Sequence, residues 1–347
     1  MSDLKNIDKL KNILKKNKFT YLIFKPFVNI VRICFSFIFR NRSLLSLNNF
    51  SNKSKNIFIL DTRIHSITFD SVVLLIRGSN FFYNDKWTLI IYEDDFQRYS
   101  PTDVNDEIYL NSLINIFLQS LLILPNPPNT IKFVNNSYEL LQIINKSDKI
   151  FPEDYNFLSD NKAYKVEDFN EKDFQNFKKN KPILKANKYY SEIFENYLNY
   201  KNIKKYITIT IRSKSWANNE WNTDLEDIKL YLDFIKKNNL NNYEVLIIPD
   251  TEQELPKVIK DFIEKNNLKY NLFHHSSFSV PMRFLAYSKA SFNFGSTNGP
   301  LAMLWFMKND AFFILKDSNQ GEDVKNFVDK FNKNIFLDRK FYFHKRY

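Results

Sequence analysis

The residues best suited to chemistry form a short polar stretch between two apolar runs. The chain has only four glycines in 347 residues, and two of them bound the pentapeptide Gly295, Ser296, Thr297, Asn298 and Gly299. An apolar run precedes this stretch and a helix-like run over 300–307 follows it, which predicts a strand, a tight turn and a helix N-terminus. Glycine permits positive φ and close approach of a ligand, and the first N–H groups of a helix attract anions. We expect a phosphate site here; the alternative is an ordinary, well-capped turn.

Two basic residues, Arg212 and Lys214, follow a predicted strand over 206–211. Ligands of open α/β sheets bind outside the carboxyl ends of the strands. These two side chains would add positive charge at the edge where Gly299 begins its helix, which suits a diphosphate. The alternative is that they only solvate the end of a strand.

Asp250 and His274 follow two further predicted strands, 245–248 and 270–273. By the same rule they would lie at the edge of the sheet where a ligand binds. The adjacent His274 and His275 lack the ligand spacing of a metal site. Trp216 could stack on a base or sugar, as could Trp221, although packing within the protein is an equal alternative.

Strands alternate with helices along most of the chain, which predicts an α/β protein with parallel sheets covered on both faces. The predicted strands are 56–60, 87–92, 130–134, 206–211, 245–248, 270–273, 290–294 and 311–315. The predicted helices are 69–76, 108–122, 138–144, 224–237, 254–265, 280–288 and 300–307. Thr223 and Glu226 have capping-box spacing before one of these helices. We therefore expect two Rossmann-like domains with parallel sheets facing a cleft.

The domain boundaries follow from composition and from the two alternating units. Residues 56–185 would form an N-terminal Rossmann-like domain with a linker, and 186–320 a C-terminal Rossmann-like domain. Residues 321–347 would form a C-terminal helix and a basic, aromatic tail. Residues 1–55 are a separate basic and apolar segment.

The net charge of +11 resides almost entirely in residues 1–55, which carry 12 Lys or Arg against two Asp. That distribution argues against a nucleic-acid partner. The apolar run 19–39 is interrupted by Lys25 and Arg32, and charges near a bilayer centre are costly. We expect the segment to lie on an anionic membrane surface rather than to span it, on the inner, cytoplasmic face. The alternatives are a membrane span and a soluble helix. The single cysteine, Cys34, fits a reducing compartment.

The strand ending in Arg212 and the stretch from Ala286 to Ala302, which includes the Gly299-Pro300 turn, resemble the C-terminal half of GT-B glycosyltransferases. The likeness is to the heptosyltransferase-like group, and it covers roughly residues 56–318. Leu301 and Ala302 stand where that group usually has other residues, including a histidine.

The resemblance implies a glycosyltransferase of polysaccharide biosynthesis that needs no metal or other cofactor. Its substrates would be a nucleotide-diphosphate sugar, bound by the nucleotide-sugar domain 186–320, and a surface glycan or lipid-linked acceptor, bound by the acceptor domain 56–185. The Gly-Pro turn would approach the donor diphosphate, and Asp250 and His274 would contact the nucleotide or sugar of the donor. Asp70 would be the counterpart of the group's acidic residue and act as the base, although Phe69 replaces the usual glycine beside it. Asp61 or His65 are alternative bases, and Asp70 is as well explained as a helix cap.

Three other functions remain open from the sequence. A metal-dependent sugar transferase of the other major fold could use Glu93, Asp94 and Asp95 as ligands. A nucleotide-sugar epimerase would need more acids and histidines in its cleft. A non-catalytic, membrane-attached binding protein could keep the fold without activity.

Overall fold

The structure, a computed structural model, describes most of the chain after residue 55. The described residues are 56–65, 71–93, 107–155, 157, 171–180, 184–213, 222–249, 255–266, 269–296, 299–316, 318–334 and 338–346. The predicted membrane segment, 1–55, lies outside them. No helix in these ranges is both long enough and apolar enough to cross a bilayer.

The chain divides into two compact units, each assembled from three separate stretches. Unit 1 comprises 1–66, 84–99 and 128–164, and unit 2 comprises 67–83, 100–127 and 165–347. Each unit contains one sheet, and every recorded strand pairing in both sheets is parallel. The predicted α/β class with two parallel sheets is therefore confirmed.

Unit 1 has a four-stranded sheet in the order β3-β2-β1-β4. Its strands are β1 (Asn56–Asp61), β2 (Trp87–Tyr92), β3 (Thr130–Val134) and β4 (Lys149–Phe151). Helix α3 (Ser137–Asn145) follows β3, and Leu140 on this helix packs with Ile57, Ile59 and Ile90 of the sheet. These runs of buried Ile and Leu are typical of parallel strands covered by helices.

Unit 2 has a six-stranded sheet in the order β10-β9-β8-β5-β6-β7. The strands are β5 (Tyr206–Thr210), β6 (Glu244–Ile248), β7 (Tyr270–Leu272), β8 (Asn293–Ser296), β9 (Ala311–Leu315) and β10 (Phe341–Lys345). Because the strands are parallel, their carboxyl ends lie along one edge of this sheet. Any residue that directly follows a strand is placed at that edge.

The helices of unit 2 come from both halves of the sequence. They are α1 (Ser71–Phe81), α2 (Glu107–Ser120), α4 (Glu171–Asn180), α5 (Lys188–Tyr200), α6 (Leu225–Lys237), α7 (Lys257–Lys265), α8 (His275–Phe278), α9 (Val280–Lys289) and α10 (Ser318–Asn334). Two 3₁₀ helices occupy Leu121–Ile123 and Gly299–Phe306.

Some predicted elements differ from the observed ones. Strand β8 begins at Asn293 and continues to Ser296, so Gly295 belongs to the strand and not to the turn after it. The capping box of α6 uses Asp224 and Asp227 instead of the predicted Thr223 and Glu226. The segment after Pro300 forms a 3₁₀ helix. Strands β4 and β10, and helices α4, α5 and α8, were not predicted.

Candidate functional site

Strands β5 and β8 are neighbours at the centre of the unit 2 sheet, and they are in register over Thr208↔Asn293 and Ile209↔Phe294. A buried hydrogen bond of 2.6 Å joins Thr208 Oγ1 to Asn293 Oδ1 and fixes this register. The loop after β5 and the loop after β8 therefore leave the sheet side by side. Arg212 follows β5, and the 3₁₀ helix that begins at Gly299 follows β8.

Two hydrogen bonds with Thr223, which we call the clamp, hold the backbone of Arg212 in place. The N–H of Arg212 donates to Thr223 Oγ1 at 2.9 Å, and the N–H of Thr223 donates to the carbonyl oxygen of Arg212 at 2.9 Å. Thr223 is buried, and Arg212 is partly buried. The clamp closes the loop 213–222 at its base, so Arg212 is fixed between β5 and the start of α6. Lys214, Trp216 and Trp221 lie outside the described residues.

Gly295 has a packing role in the structure. None of the described glycines has a positive φ, in contrast to the expected reason for a glycine here. A Cβ built on Gly295 would overlap the Cδ1 methyl of Leu301 and would lie 3.4 Å from Thr210 Cβ. The side chain of Leu301 is fully buried. The missing Cβ thus lets the 3₁₀ helix fold back onto β8.

The 3₁₀ helix Gly299–Phe306 is almost entirely apolar, and its side chains from Leu301 onward are buried. Its far end is held by Arg339, whose Nη1 donates to the carbonyl oxygen of Leu304 at 3.0 Å and to that of Met307 at 2.5 Å. Burial lowers the pKa of Arg339 to about 9 despite the carboxylate of Asp310. The helix is therefore held at its C-terminal end, and its first residue, Gly299, comes shortly after the end of β8 at Ser296. Thr297 and Asn298 lie outside the described residues.

A second charged cluster lies at the carboxyl ends of β9 and β10, and the sequence did not point to it. Lys316 Nζ is 2.5 Å from Asp227 Oδ2 and 3.7 Å from Asp224 Oδ2. Arg346 pairs with Asp224 at 2.8 Å and also with Glu226 and Asp227. All three acids belong to the N-cap and first turn of α6, so the two cations are neutralised by this helix. Lys316 directly follows strand β9, so the rule that selected Arg212, that ligands bind after the ends of parallel strands, also applies to Lys316. No feature of the sequence marked Arg346.

These pairs shift the titration of Asp224. Burial by itself raises the pKa of this carboxyl group, but the hydrogen bond from Arg346 and that from the backbone of Asp227 outweigh it. The positive charges of Lys316 and Arg346 act in the same direction, and the net pKa is lower than the ordinary value of 3.8. A carboxylate that accepts hydrogen bonds and faces cations favours its charged form.

His274 lies at the carboxyl end of β7 and lines a surface pocket of about 440 Å³. The other lining residues are Gln119, Tyr190, His275, Phe278 and Ser279. Arg283 holds helix α8, which contributes to the lining of this pocket. It is fully buried and donates to the carbonyl oxygens of Ser276 and Pro249, each at 2.8 Å. It thereby joins α8 to the end of β6, where the predicted Asp250 follows outside the described residues.

The turn after β1 in unit 1 holds a second group of polar side chains. Asp61 is fully buried, and its carboxylate accepts two hydrogen bonds from Arg63 Nε and one from Nη2. Tyr155 donates its hydroxyl to Asp61 Oδ2 at 2.8 Å. The Arg63 guanidinium lies 5.0 Å from the ring centroid of Tyr92 and 4.3 Å from that of Phe157. The Asp61 carboxylate is therefore engaged in structural contacts, which disfavours it as the alternative base.

His65, the other alternative base, is also buried. Its Nδ1 is 3.0 Å from both the backbone nitrogen and the backbone oxygen of Asp61. Burial lowers the pKa of His65 to about 4, although the nearby carboxylate and the backbone of Asp61 act in the opposite direction. Such a weak base, shielded from solvent, stabilises the turn and is poorly suited to proton transfer near neutral pH.

The remaining predicted residues are placed as follows. Asp70 lies outside the described residues, immediately before the first residue of α1. Glu93 follows β2 and donates its N–H to the carbonyl oxygen of Val134 at 2.9 Å, whereas Asp94 and Asp95 are not described. Across the described ranges, no three His, Cys, Asp or Glu side chains converge as they do in metal sites.

Comparison with known proteins gave structural neighbours only. No protein-family model matches the chain, and no curated protein matches it by sequence. Among solved structures, a glycosyl transferase of family 9 from Veillonella parvula is 7% identical, with a TM-score of 0.48 over 86% of this chain and 89% of that chain.

Two further neighbours are more distant. The wall teichoic acid polymerase TagF is 10% identical, with a TM-score of 0.32 over 91% of this chain and 93% of that chain. The E. coli heptosyltransferase WaaC, solved with ADP-2-deoxy-2-fluoro heptose, is 10% identical, with a TM-score of 0.33 over 79% of this chain and 99% of that chain.

Proposed function

We propose that the protein is a glycosyltransferase that takes a sugar from a nucleotide-diphosphate donor held at the carboxyl edge of the unit 2 sheet. The observation that supports the proposal is the pairing of β5 with β8, because Arg212 follows the first of these strands and the Gly299 helix follows the second, at the same edge of the sheet. A guanidinium and the N–H groups at a helix N-terminus are both suited to phosphate oxygens. Lys214, Ser296, Thr297 and Asn298 would complete this diphosphate site, with Gly295 beneath it.

Asp250 and His274 would contact the nucleotide or sugar at the ends of β6 and β7. The pocket of about 440 Å³ beside His274 is large enough for part of such a group. Sugar transfer requires a base that deprotonates the acceptor hydroxyl, and a stabilised leaving diphosphate. Asp70 is the proposed base. Arg212, Lys214 and the helix N-terminus would stabilise the leaving group without a metal ion.

The acceptor would be a surface glycan or a lipid-linked glycan of polysaccharide biosynthesis. An acceptor of this kind is reached at a membrane, so the basic and aromatic segment 1–55 would hold the enzyme on the inner face of the membrane. Deleting residues 1–50 should weaken binding to anionic vesicles.

The donor site is tested by thermal unfolding with nucleoside diphosphates and nucleotide sugars, with and without EDTA. At least one of them should raise the melting temperature, and Arg212→Ala should weaken that binding at least tenfold. Lys308→Ala is the matched control, since Lys308 is an exposed cation just before β9, at the opposite edge of the sheet. No stabilisation by any nucleotide would contradict the proposal, and strict metal dependence would favour a metal-dependent transferase.

Catalysis is tested separately from donor binding. Asp70→Asn should abolish sugar transfer and leave the nucleotide-induced rise in melting temperature unchanged. Turnover by this variant would exclude Asp70 as the base. Donor binding without transfer to any glycan or lipid-linked acceptor would favour the non-catalytic binding protein.

A further inference from the structure

Helix α5 exposes an aromatic row on the face opposite its buried side. Tyr189, Ile193 and Tyr200 are 67%, 38% and 82% exposed, whereas Phe194 and Leu198 on the inner side are buried. Spacings of four and seven residues place the three exposed side chains along one stripe, about 16 Å long at the rise of an α-helix. The half-exposed Phe278 and the ring of Tyr190, 5.8 Å from that of Tyr189, extend the aromatic surface at one end. We call Tyr189, Ile193 and Tyr200 the α5 stripe.

Exposed lysines lie at both ends of the α5 stripe. Lys185 and Lys188 precede or begin the helix, and Lys201, Lys204 and Lys205 follow it. The two acids on the helix are each paired with a lysine: Glu192 with Lys188 at 3.4 Å, and Glu195 with Lys289. The surface is therefore net positive, with its apolar and aromatic groups between two basic ends.

We propose that the α5 stripe and its flanking lysines form a second membrane-contact surface, which rests on anionic lipid headgroups. Tyrosine is enriched at the level of the headgroups, because its ring is apolar and its hydroxyl is polar. Each lysine near an anionic bilayer adds electrostatic attraction to the lipid headgroups. Protein interfaces are instead depleted in lysine, so the composition favours lipid over a protein partner.

This surface adds to the contact proposed for residues 1–55. Two weak membrane contacts made by one chain bind more tightly than either contact alone, because the second forms at high effective concentration once the first has formed. A second contact also fixes the rotation of unit 2 on the membrane, which a single flexible attachment does not do. The inference rests on the proposed membrane location, and it does not depend on the donor site.

The test uses the full chain and vesicles of phosphatidylcholine alone or with phosphatidylserine. Tyr189→Ser/Tyr200→Ser should lower partitioning onto the anionic vesicles at least fivefold, as should Lys201→Glu/Lys204→Glu/Lys205→Glu. The matched controls are Val258→Ser, which removes an exposed apolar side chain of α7, and Lys236→Glu/Lys237→Glu/Lys260→Glu, which reverses exposed lysines on α6 and α7. Both controls should stay within twofold of the unaltered chain.

Hydrogen exchange supplies a readout that a loss of folding would not imitate. Amides of residues 185–205 should exchange more slowly when the unaltered chain is bound to anionic vesicles. Equal partitioning of the variants and the unaltered chain, or no added protection at 185–205 on bound protein, would overturn the proposal. Protection that grows with protein concentration in the absence of vesicles would also overturn it, in favour of a second copy of the chain.

Nucleotide-induced thermal stabilisation is measured on the same variants to separate the two proposals. It should be unchanged in all of them, since none of the substituted side chains is a proposed donor-binding residue or lines the pocket beside His274. Loss of vesicle binding with normal nucleotide binding therefore concerns the α5 stripe alone.

Discussion

Arg212 and Thr223 are joined by two hydrogen bonds of 2.9 Å that run in opposite directions between their backbones and the Thr223 hydroxyl. These two hydrogen bonds join the carboxyl end of β5 to the start of α6. The position of the Arg212 side chain at the sheet edge thus depends on a threonine eleven residues later in the sequence.

Thr223→Val should weaken nucleoside diphosphate binding and destabilise unit 2. Valine has nearly the same shape but leaves the partly buried N–H of Arg212 without its acceptor, which costs about 1–3 kcal/mol. Calorimetry measures the affinity, and urea unfolding measures the stability. Thr223→Ser keeps the hydroxyl and is the control; if it behaves like valine, the hydrogen bond is not responsible.

Gly295→Ala should destabilise the protein by about 1–3 kcal/mol, the usual cost of forcing extra atoms into a packed core. The added methyl group would collide with the side chain of Leu301. Removing that side chain as well, in Gly295→Ala/Leu301→Ala, should give a smaller loss than the sum of the two single changes. If the losses in the free energy of unfolding are additive, the added methyl group and the side chain of Leu301 do not compete for the same space. Urea unfolding measures these losses.

Lys316→Met should lower the free energy of unfolding by about 1.5–3 kcal/mol, because the buried Asp227 loses one of its two described cationic partners and keeps only Arg346. The side chains of Lys316 and Asp227 are 6% and 0% exposed, so water screens the pair little. Lys316→Arg, which keeps the charge, should lose much less. The exposed Lys308→Met is a second control, and its stability should match that of the unaltered chain.

Stability should fall as the pH drops from about 6.5 to about 4 because of His65. Burial lowers the folded-state pKa of this side chain to about 4, so the unfolded chain takes up the proton first. The stability that it contributes is fully present above pH 6.5, and up to about 3 kcal/mol is lost across this interval. Urea unfolding at pH 7 and pH 5 measures the difference.

His65→Asn keeps a hydrogen-bonding group near the backbone of Asp61 and should flatten this pH dependence. The partly exposed His344 on β10 provides the control, since His344→Asn should leave the slope unchanged. A slope that survives in His65→Asn would assign the effect to other groups. The contribution of Asp224 is present above its ordinary pKa of 3.8 and is lost as the pH falls through its lower folded-state pKa, so it lies in a more acidic range.

The sequence predicts the central strands well, because runs such as Ile57 to Leu60 and Val245 to Ile248 are continuous, apolar and short. It predicts poorly the role of a residue that depends on a contact elsewhere in the sequence. Gly295 resembled a turn residue because the reason for it, the side chain of Leu301, becomes apparent only in three dimensions. Strand β10 is partly exposed along its whole length and ends in Lys345, and it forms a strand because β9 offers it an open edge.

The residues of the candidate site likewise fall into those that the sequence predicts and those that it does not. The rule that ligands bind after the ends of parallel strands selects Arg212 and His274, and the structure places both at the carboxyl edge of one sheet. Two residues hold this edge: the local pattern at Thr223 indicated a helix cap and not its contact with Arg212, and no local pattern marks Arg283. Their roles depend on backbone atoms of distant residues, which no spacing rule records.

The division of the chain into interleaved stretches affects how the protein is made. Helix α1 belongs to unit 2, and its residues from Ser71 to Asn80 are buried in the finished molecule, yet translation produces it more than a hundred residues before β5. Until the later stretch emerges from the ribosome, this apolar helix has no completed partner, and exposed surface of that kind promotes aggregation. Nascent chains that stop early should therefore need chaperones, and the N-terminal half alone should be poorly soluble.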